Sequence, residues 1–255
     1  MPKRPTPRKW RPHRNLKSVM QQAFFAPVGL ALFLATTGCD RGTSPETVRT
    51  LAGGEKAVHA RQQAESEMRS IIATWSERTP LTLGLVYLYD GCGGGKAKEW
   101  FFATGDDHYK IRCSMYVTAY FGADPNRMAE TIDGILTAGD ANPGKVPFDH
   151  DFYYATQVVK YYRGEVDDPQ GPGTGEPSQL SEATMPTLNW DQVRTSGLQR
   201  QLIEEPNPCP EGTNDPAVRR CLHEPASTSV SELRRRYGMV FSLTFPVRDY
   251  FVVMK

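Results

Sequence analysis

The sequence predicts an α+β domain in which an antiparallel sheet packs against helices, beginning with a long N-terminal helix. Two periodicities support this fold class: apolar residues recur at helical spacing in 55–79, and they alternate with polar residues in 109–121. A third observation is that the predicted elements lack the regular strand–helix alternation of parallel sheets. Their order is instead helix, three strands, helix, strand, loop, helix and strand, and strands joined by a hairpin pair antiparallel.

Two predicted helices carry clear boundary signals. The helix over 55–79 ends at Pro80, because proline removes a backbone donor and clashes with the preceding turn. The helix over 124–139 has Asp124 as its N-cap and Gly139 at its end. These signals place one helix before the predicted strands and one among them.

Strands are predicted where β-branched and aromatic residues are dense. The segments are 81–89, then 98–104 and 108–123 as two arms of a hairpin around the "GDD" turn at 105–107, then 152–164, and one or two strands in 238–255. The Gly-rich stretch 91–96 is predicted to be a flexible turn, and Pro246 to mark a break or an edge position.

The alternation in 109–121 predicts which face of that strand is buried. The apolar side chains of its odd-numbered face include Ile111, Met115, Val117 and Phe121. Burying that face gains roughly 1.5–3 kcal/mol for each large side chain, whereas the opposite face would bury charges without partners. We therefore expect the odd-numbered face to pack on the helix 55–79 or the helix 124–139.

Tyrosines on the opposite face form a candidate binding face. Tyr116 and Tyr120 belong to the predicted strand 108–123, and Tyr153 and Tyr161 belong to the predicted strand 152–164. A tyrosine joins an apolar ring to a polar hydroxyl, which suits a ligand or protein contact surface. The alternative is that these residues reflect only strand propensity and helix–sheet packing.

The first 40 residues have the composition of a secretory signal. Residues 1–22 carry seven basic residues and no acid, and 23–37 are uncharged. The stretch Leu34–Cys39 that closes this segment resembles the lipobox of bacterial prolipoproteins. The resemblance implies that a diacylglycerol, with acyl chains such as palmitate, is attached to the Cys39 thiol and that residues 1–38 are cleaved off. An ordinary signal peptide or an uncleaved helical anchor is the alternative.

The remaining chain is predicted to form one domain behind a tether. Residues 39–54 are small, polar and Gly-rich, as in a flexible tether. Residues 55–255 then form a single α+β domain with a Pro/Gly-rich loop at 165–186. This organisation predicts an extracytoplasmic domain that is lipid-anchored to the cell membrane.

The charge of the mature chain argues against nucleic acid as a partner. Residues 1–38 hold seven of the 30 Lys and Arg residues and none of the 29 acids, so 23 basic and 29 acidic residues remain, a net charge of −6. A mildly acidic chain has no electrostatic attraction for a phosphate backbone.

Beside Cys39 the chain has four further cysteines, and an even number outside the reducing cytosol predicts two disulfides. Of the three possible pairings we expect Cys92–Cys113 and Cys209–Cys221, because the shortest loops cost the least entropy to close. A zinc site is the alternative, but the spacings lack the paired CxxC or Cys/His pattern of such sites.

Two acid–histidine clusters are the candidates for catalysis or metal binding. They are Asp106-Asp107-His108 and Asp149-His150-Asp151. The first cluster lies at the predicted hairpin turn and the second just before a predicted strand. Aspartate is common at such positions because its carboxylate accepts hydrogen bonds from nearby backbone N–H groups. No serine lies in a GxSxG motif. We therefore predict no catalytic residue, no metal site and no cofactor.

The leading hypothesis is a non-catalytic binding or interaction module of the cell envelope, held at the membrane by lipid on Cys39, for an unknown protein or small-molecule ligand. One alternative is a cell-envelope hydrolase that uses the Asp149, His150 and Asp151 region. Another is a structural subunit of a membrane complex. A ligand cleft beside the tyrosines would favour the first hypothesis, and convergent carboxylate and histidine side chains in a pocket would favour the hydrolase.

Overall fold

The computed structural model describes residues 42–97, 108–171, 175–182, 185–209, 215 and 217–255. The predicted signal peptide, Cys39, the predicted strand 98–104 and the "GDD" turn lie outside the described residues.

Five α-helices and seven strands make up the described chain. The helices are α1 (Pro45–Ala52), α2 (Glu55–Arg78), α3 (Met128–Ala141), α4 (Tyr153–Arg163) and α5 (Val230–Tyr237), with 3-10 turns at Pro125–Arg127 and Gly197–Gln199. The strands are β1 (Thr82–Gly94), β2 (Tyr109–Ala123), β3 (Gln179–Leu180), β4 (Thr187–Trp190), β5 (Arg219–Glu224), β6 (Met239–Thr244) and β7 (Arg248–Met254). All strand pairs are antiparallel, which confirms the α+β prediction.

The long strand β2 organises the sheet, whose order is β3-β4-β6-β2-β1-β5. One edge of β2 pairs with β1 along its length, and the other edge pairs with β6 in one half and with β7 in the other. Pro246 lies in the short break between β6 and β7. The predicted interruption of the last strand at this proline is therefore confirmed.

One face of the sheet is buried under α2, α3 and α4. The odd-numbered side chains of β2 lie on this face, and Ile111, Met115, Val117 and Phe121 are each at most 1% exposed. Trp75 of α2 packs 6.4 Å from the Phe121 ring, centroid to centroid. The predicted orientation of this strand is thus confirmed, and its face packs on both of the helices that the sequence offered as partners.

The prediction of a strand over 152–164 is wrong, because this segment is helix α4. Its tyrosines and valines have high strand propensity, but its buried residues Ala155, Val158, Val159 and Tyr162 recur at helical spacing. Gly164 ends the helix in the left-handed conformation at φ 77°. Packing of an amphipathic face therefore outweighs local propensity here.

The predicted tether 39–54 is wrong over α1. Ser44 caps this helix, since its hydroxyl accepts a hydrogen bond from the Thr47 backbone N–H at 3.2 Å. Val48 and Ala52 are buried in the same cluster as Ile111 of β2. The segment that precedes α2 is thus part of the domain core.

The predicted flexible turn at 91–96 is also wrong in its first half. β1 continues to Gly94, and Gly91, Cys92, Gly93 and Gly94 are all paired with β2. These glycines are held in β1 because β1 pairs with β2 up to Gly94 and is joined to β2 by the Cys92–Cys113 disulfide.

Gly139 does not end its helix as predicted, because α3 continues to Ala141 and Asn142 is the C-cap. A Cβ atom at Gly139 would overlap the backbone carbonyl oxygen of Phe148. The glycine therefore permits the 146–148 segment to pack directly on α3.

We expect Gly139→Ala to lower the free energy of unfolding by about 2 kcal/mol, because the added methyl group forces two backbones apart. Gly144→Ala is the matched control, since a Cβ there meets nothing within 4 Å. Chemical denaturation of both variants measures the difference. Equal stabilities would contradict the proposed close approach.

Candidate binding cleft and ionic sites

The four predicted binding-face tyrosines lie on opposite faces of the sheet. Tyr116 and Tyr120 are on the even-numbered face of β2, in the cluster that α5 covers. Tyr153 and Tyr161 belong to α4, which packs on the other face, and Tyr153 is 65% exposed. The prediction that all four line one groove is wrong, because it rested on reading α4 as a strand.

The even-numbered face of β2 continues into rows of uncharged polar side chains on neighbouring strands. Directly paired positions point to the same side of a sheet. One row is Gln179, Asn189, Ser242 and Tyr120, and a second is Thr187, Thr244 and Thr118. This half of the face is therefore polar, whereas the half over β1, with Leu85 and Tyr87, is apolar and lies under α5.

A cleft of about 340 Å³ lies over these polar rows, and we call it the tyrosine cleft. Its lining includes Tyr116, Tyr120 and the extended segment 201–205. Thr118 Oγ1 donates a hydrogen bond to the Tyr116 hydroxyl at 3.1 Å, and Thr118 and Thr244 share a hydroxyl–hydroxyl bond at 3.2 Å. The floor thus presents hydroxyl groups and a tyrosine ring, which can hydrogen-bond to and pack against an uncharged polar ligand.

The wall of the tyrosine cleft is held in place by two carboxylates, the buried Asp191 and the exposed Glu205. Asp191 is fully buried, and it accepts hydrogen bonds from Ile203 N at 2.7 Å and from two nitrogens of Arg234 at 2.7 and 2.9 Å. Glu205 accepts the backbone N–H groups of Val230 and Ser231 at the start of α5, both at 2.8 Å. Segment 201–205 is therefore tied to both the sheet and α5.

Two titratable groups of the cleft have shifted protonation equilibria. Burial raises the pKa of Tyr120, and the neighbouring Tyr116 and Glu205 raise it further, so its hydroxyl stays protonated at neutral pH. Burial acts to raise the pKa of Glu205, but the hydrogen bonds from the α5 backbone outweigh it and lower the pKa overall. Glu205 is accordingly an anion, and its charge is engaged by the start of α5.

His150 interacts with acids that the sequence did not suggest. Its Nδ1 lies 2.6 Å from Asp140 Oδ2, and its Nε2 lies 3.4 Å from Asp133 Oδ1. The Asp149 carboxylate instead accepts the backbone N–H groups of Asp151 and Phe152 at 3.1 and 3.2 Å. Asp149 therefore closes the turn just before α4, and His150 pairs with α3.

The other acid–histidine cluster is described only at His108, which precedes β2 and accepts a backbone hydrogen bond from Lys255 at 3.0 Å. Among the residues that the structure describes, no three His, Cys, Asp or Glu side chains are grouped so that they could hold a metal ion.

We expect Asp140→Asn to lower the pKa of His150 toward its ordinary value of about 6.5. The hydrogen bond to Asp140 raises this pKa, with a smaller contribution from Asp133, against an opposing effect of partial burial. Because the pKa of His150 is higher in the folded than in the unfolded protein, its protonation stabilises the fold. This stabilisation is fully present below the unfolded-state pKa and is lost as the pH rises through the folded-state pKa. Histidine NMR titration measures the shift. Asp151→Asn is the control, and an equal shift in that variant would contradict the assignment to Asp140.

A buried ion pair between α2 and β1 was missed by sequence reasoning. Arg61 Nε lies 2.7 Å from Asp90 Oδ2, and the Tyr250 hydroxyl donates to Asp90 Oδ1 at 2.6 Å. Arg61 also donates to the Ala217 carbonyl at 2.8 Å. Burial raises the pKa of Asp90, and the Tyr250 hydrogen bond and the charges of Arg61 and Arg220 oppose this effect.

The sequence did contain a signal for this ion pair. Arg61 occupies a position in the apolar stripe of α2, between buried Ala57 and Ala64, and Asp90 follows the apolar run of β1. A charge at such positions needs a partner. Because Asp90 is 0% exposed, the pair holds elements together and cannot be reached by a ligand.

Both predicted disulfides are present, Cys92–Cys113 and Cys209–Cys221. They span 21 and 12 residues of chain, respectively. The first joins directly paired residues of β1 and β2, and the second ties β5 to the segment that leads from the tyrosine cleft. Disulfides of this kind indicate an oxidising, extracytoplasmic environment.

Across 42–97 and the described parts of 108–255, no helix combines the length and the apolarity that crossing a membrane requires. Fold and site together define a disulfide-bonded α+β domain with a polar cleft on one sheet face. Comparison of the chain with protein-family models, curated proteins and solved structures finds no match.

Proposed function

We propose that this chain is a lipid-anchored extracytoplasmic binding module whose ligand or partner occupies the tyrosine cleft. The observation that carries the proposal is the polar half-face of the sheet under segment 201–205. A sheet face intended only for packing is apolar, as the other face of this sheet is. Polar rows in a concave site with tyrosine rings are instead suited to recognition.

The lining of the tyrosine cleft supports a ligand rich in hydroxyl or amide groups. Hydroxyls and amides dominate the lining, and its acidic members, Glu204 and Glu205, come from the wall segment. Glu205 is engaged by α5. A binding role is favoured over hydrolysis because the candidate catalytic residues Asp149 and His150 are bound to backbone groups and to Asp140, outside this lining.

Asn189→Trp tests the cleft. Asn189 is half-buried on the polar row, and a large side chain there fills the space that a ligand would occupy. Full-length protein purified from its native membrane should retain a molecule, identified by mass spectrometry, that the variant loses. Ala73→Trp adds the same side chain at an exposed position of α2 and should retain it. Equal retention by both variants would contradict the cleft assignment.

Lipid attachment is tested separately. The resemblance of Leu34–Cys39 to a lipobox and the uncharged run before it support a mature chain that begins at Cys39. Intact-mass analysis of the membrane-extracted protein should give the mass of residues 39–255 plus acyl chains. An unmodified Cys39, or a different first residue, would reject the anchor.

A further inference from the structure

We propose that a second cleft, lined by Arg163, Arg194 and Arg200, binds a small molecule that carries a phosphate group. We call it the arginine cleft; its volume is about 650 Å³, within the range of ligand pockets of roughly 300–1,000 Å³. It shares no lining residue with the tyrosine cleft, so the inference does not rest on the proposed function.

The three guanidinium groups come from separate parts of the fold. Arg163 is the last residue of α4, and Arg194 and Arg200 lie on the loop that follows β4. The cleft also has one acidic lining residue, Glu130 on the first turn of α3. The lining itself therefore carries three positive charges and one negative charge, and Arg163 has a further acidic partner outside the lining, Asp133.

Two of these arginines are held in place without a counter-charge. Arg194 donates to the Tyr161 and Tyr162 carbonyl oxygens at 2.8 and 2.7 Å, and Arg200 donates to the Gln192 carbonyl oxygen. Within the described part of the chain, neither guanidinium forms an ion pair with a carboxylate. Each guanidinium has five N–H donors, so these carbonyl bonds use fewer than half of the donors of either group.

Two further acids lie near these arginines, and neither pairs with the Arg194 or Arg200 side chain. Asp133 is shared between Arg163 Nη2 at 3.3 Å and His150. The buried carboxylate of Glu176 accepts backbone N–H groups of Val193, Arg194 and Thr195. An external anion is thus the group that would neutralise Arg194 and Arg200.

The charge and the walls of the cleft select the ligand class. A phosphate monoester carries a charge of about −1.5 to −2 at neutral pH and matches two guanidinium groups, each of which can bind it in a bidentate manner. Pro125, Met128 and Val193 supply apolar walls beyond the arginines. The site therefore fits an organic phosphate, either soluble or a lipid headgroup.

Calorimetric titration of the full-length protein in non-ionic detergent tests the soluble source, with glycerol 3-phosphate and inorganic phosphate as probes. Co-sedimentation with phosphatidylcholine vesicles, with and without phosphatidic acid, whose headgroup is a phosphate monoester, tests the lipid source. We expect saturable binding in at least one of these assays. Arg200→Gln and Arg163→Gln should each weaken it about tenfold, the usual effect of losing a hydrogen bond to a charged group. Arg200→Lys should weaken it less, because the charge remains but the bidentate fork is lost.

Arg49→Gln is the control, because it removes the same charge from α1, which packs at the opposite end of β2. It should leave binding unchanged. Circular dichroism verifies the fold of each variant, and Arg163→Gln replaces Arg200→Gln if the latter does not fold. No saturable binding of either source, or equal losses in Arg49→Gln and the cleft variants, would overturn the proposal.

Discussion

Replacing Arg61 with methionine is expected to lower the free energy of unfolding by about 3–5 kcal/mol, because it leaves a buried charge without its partner. The Asp90 carboxylate is fully buried and loses the guanidinium nitrogen at 2.7 Å. Tyr250 still donates to it, but Arg220 Nε is 3.8 Å away. Urea denaturation at neutral pH measures the loss.

The pH dependence of this variant follows from the same contact. Burial already raises the pKa of Asp90, and removal of Arg61 raises it further. A carboxyl group whose folded pKa exceeds its unfolded value binds protons more tightly in the fold. The deficit of Arg61→Met relative to the wild type should therefore be smaller near pH 4 than near pH 7.

Two controls separate the charge effect from lost packing. Asp90→Asn added to Arg61→Met removes the unpaired charge and should recover part of the stability. Arg49→Gln removes an arginine from an exposed pair with Asp215 and should change stability little. A loss of the same size in Arg49→Gln, or no recovery in the double variant, would contradict the explanation.

Removing the Cys92–Cys113 disulfide by a double substitution to alanine should cost about 3 kcal/mol, through the greater freedom of the unfolded chain. The bridge closes a 21-residue separation, and both cysteines are buried between α1 and the sheet. The paired strands hold the two residues at a Cα–Cα distance of 4.0 Å, so alanines at these positions leave the register intact.

The Cys209–Cys221 bridge provides the comparison for this prediction. It closes a 12-residue separation, so the same chain-entropy argument gives a slightly smaller loss for its double alanine variant. Thermal unfolding of both double variants under non-reducing conditions tests which of the two loses more stability. A Cys92/Cys113 variant as stable as the wild type would contradict the prediction.

Two ionic contacts, Arg61–Asp90 and His150–Asp140, left a partial signal in the sequence. They were not predicted because the partner of each residue lies elsewhere in the chain. Arg61 within an apolar helical stripe indicates a buried charge, yet the stripe alone does not name Asp90 as its partner, 29 positions later. Asp140 lies ten residues before His150, and the turn between them brings the two together. The adjacent Asp149 bonds to nearby backbone N–H groups, as the sequence analysis expected of an aspartate at this position.

The features that could be predicted from the sequence depend on local periodicity and on loop length. The alternation in 109–121 predicted the buried face of β2, and the shortest-loop argument predicted both disulfides. Both follow from short-range physics: a strand exposes every second side chain on one face, and closing a short loop costs little entropy.

Which elements meet across the sheet depends on tertiary packing and could not be predicted from local patterns. The 152–164 segment has strand propensity, but it folds as α4 because its apolar face is buried in the main core cluster, next to α3. This placement separates Tyr153 and Tyr161 from Tyr116 and Tyr120. The two clefts likewise form from residues far apart in sequence. Their geometry depends on packing between whole elements, whose free energy no local pattern encodes.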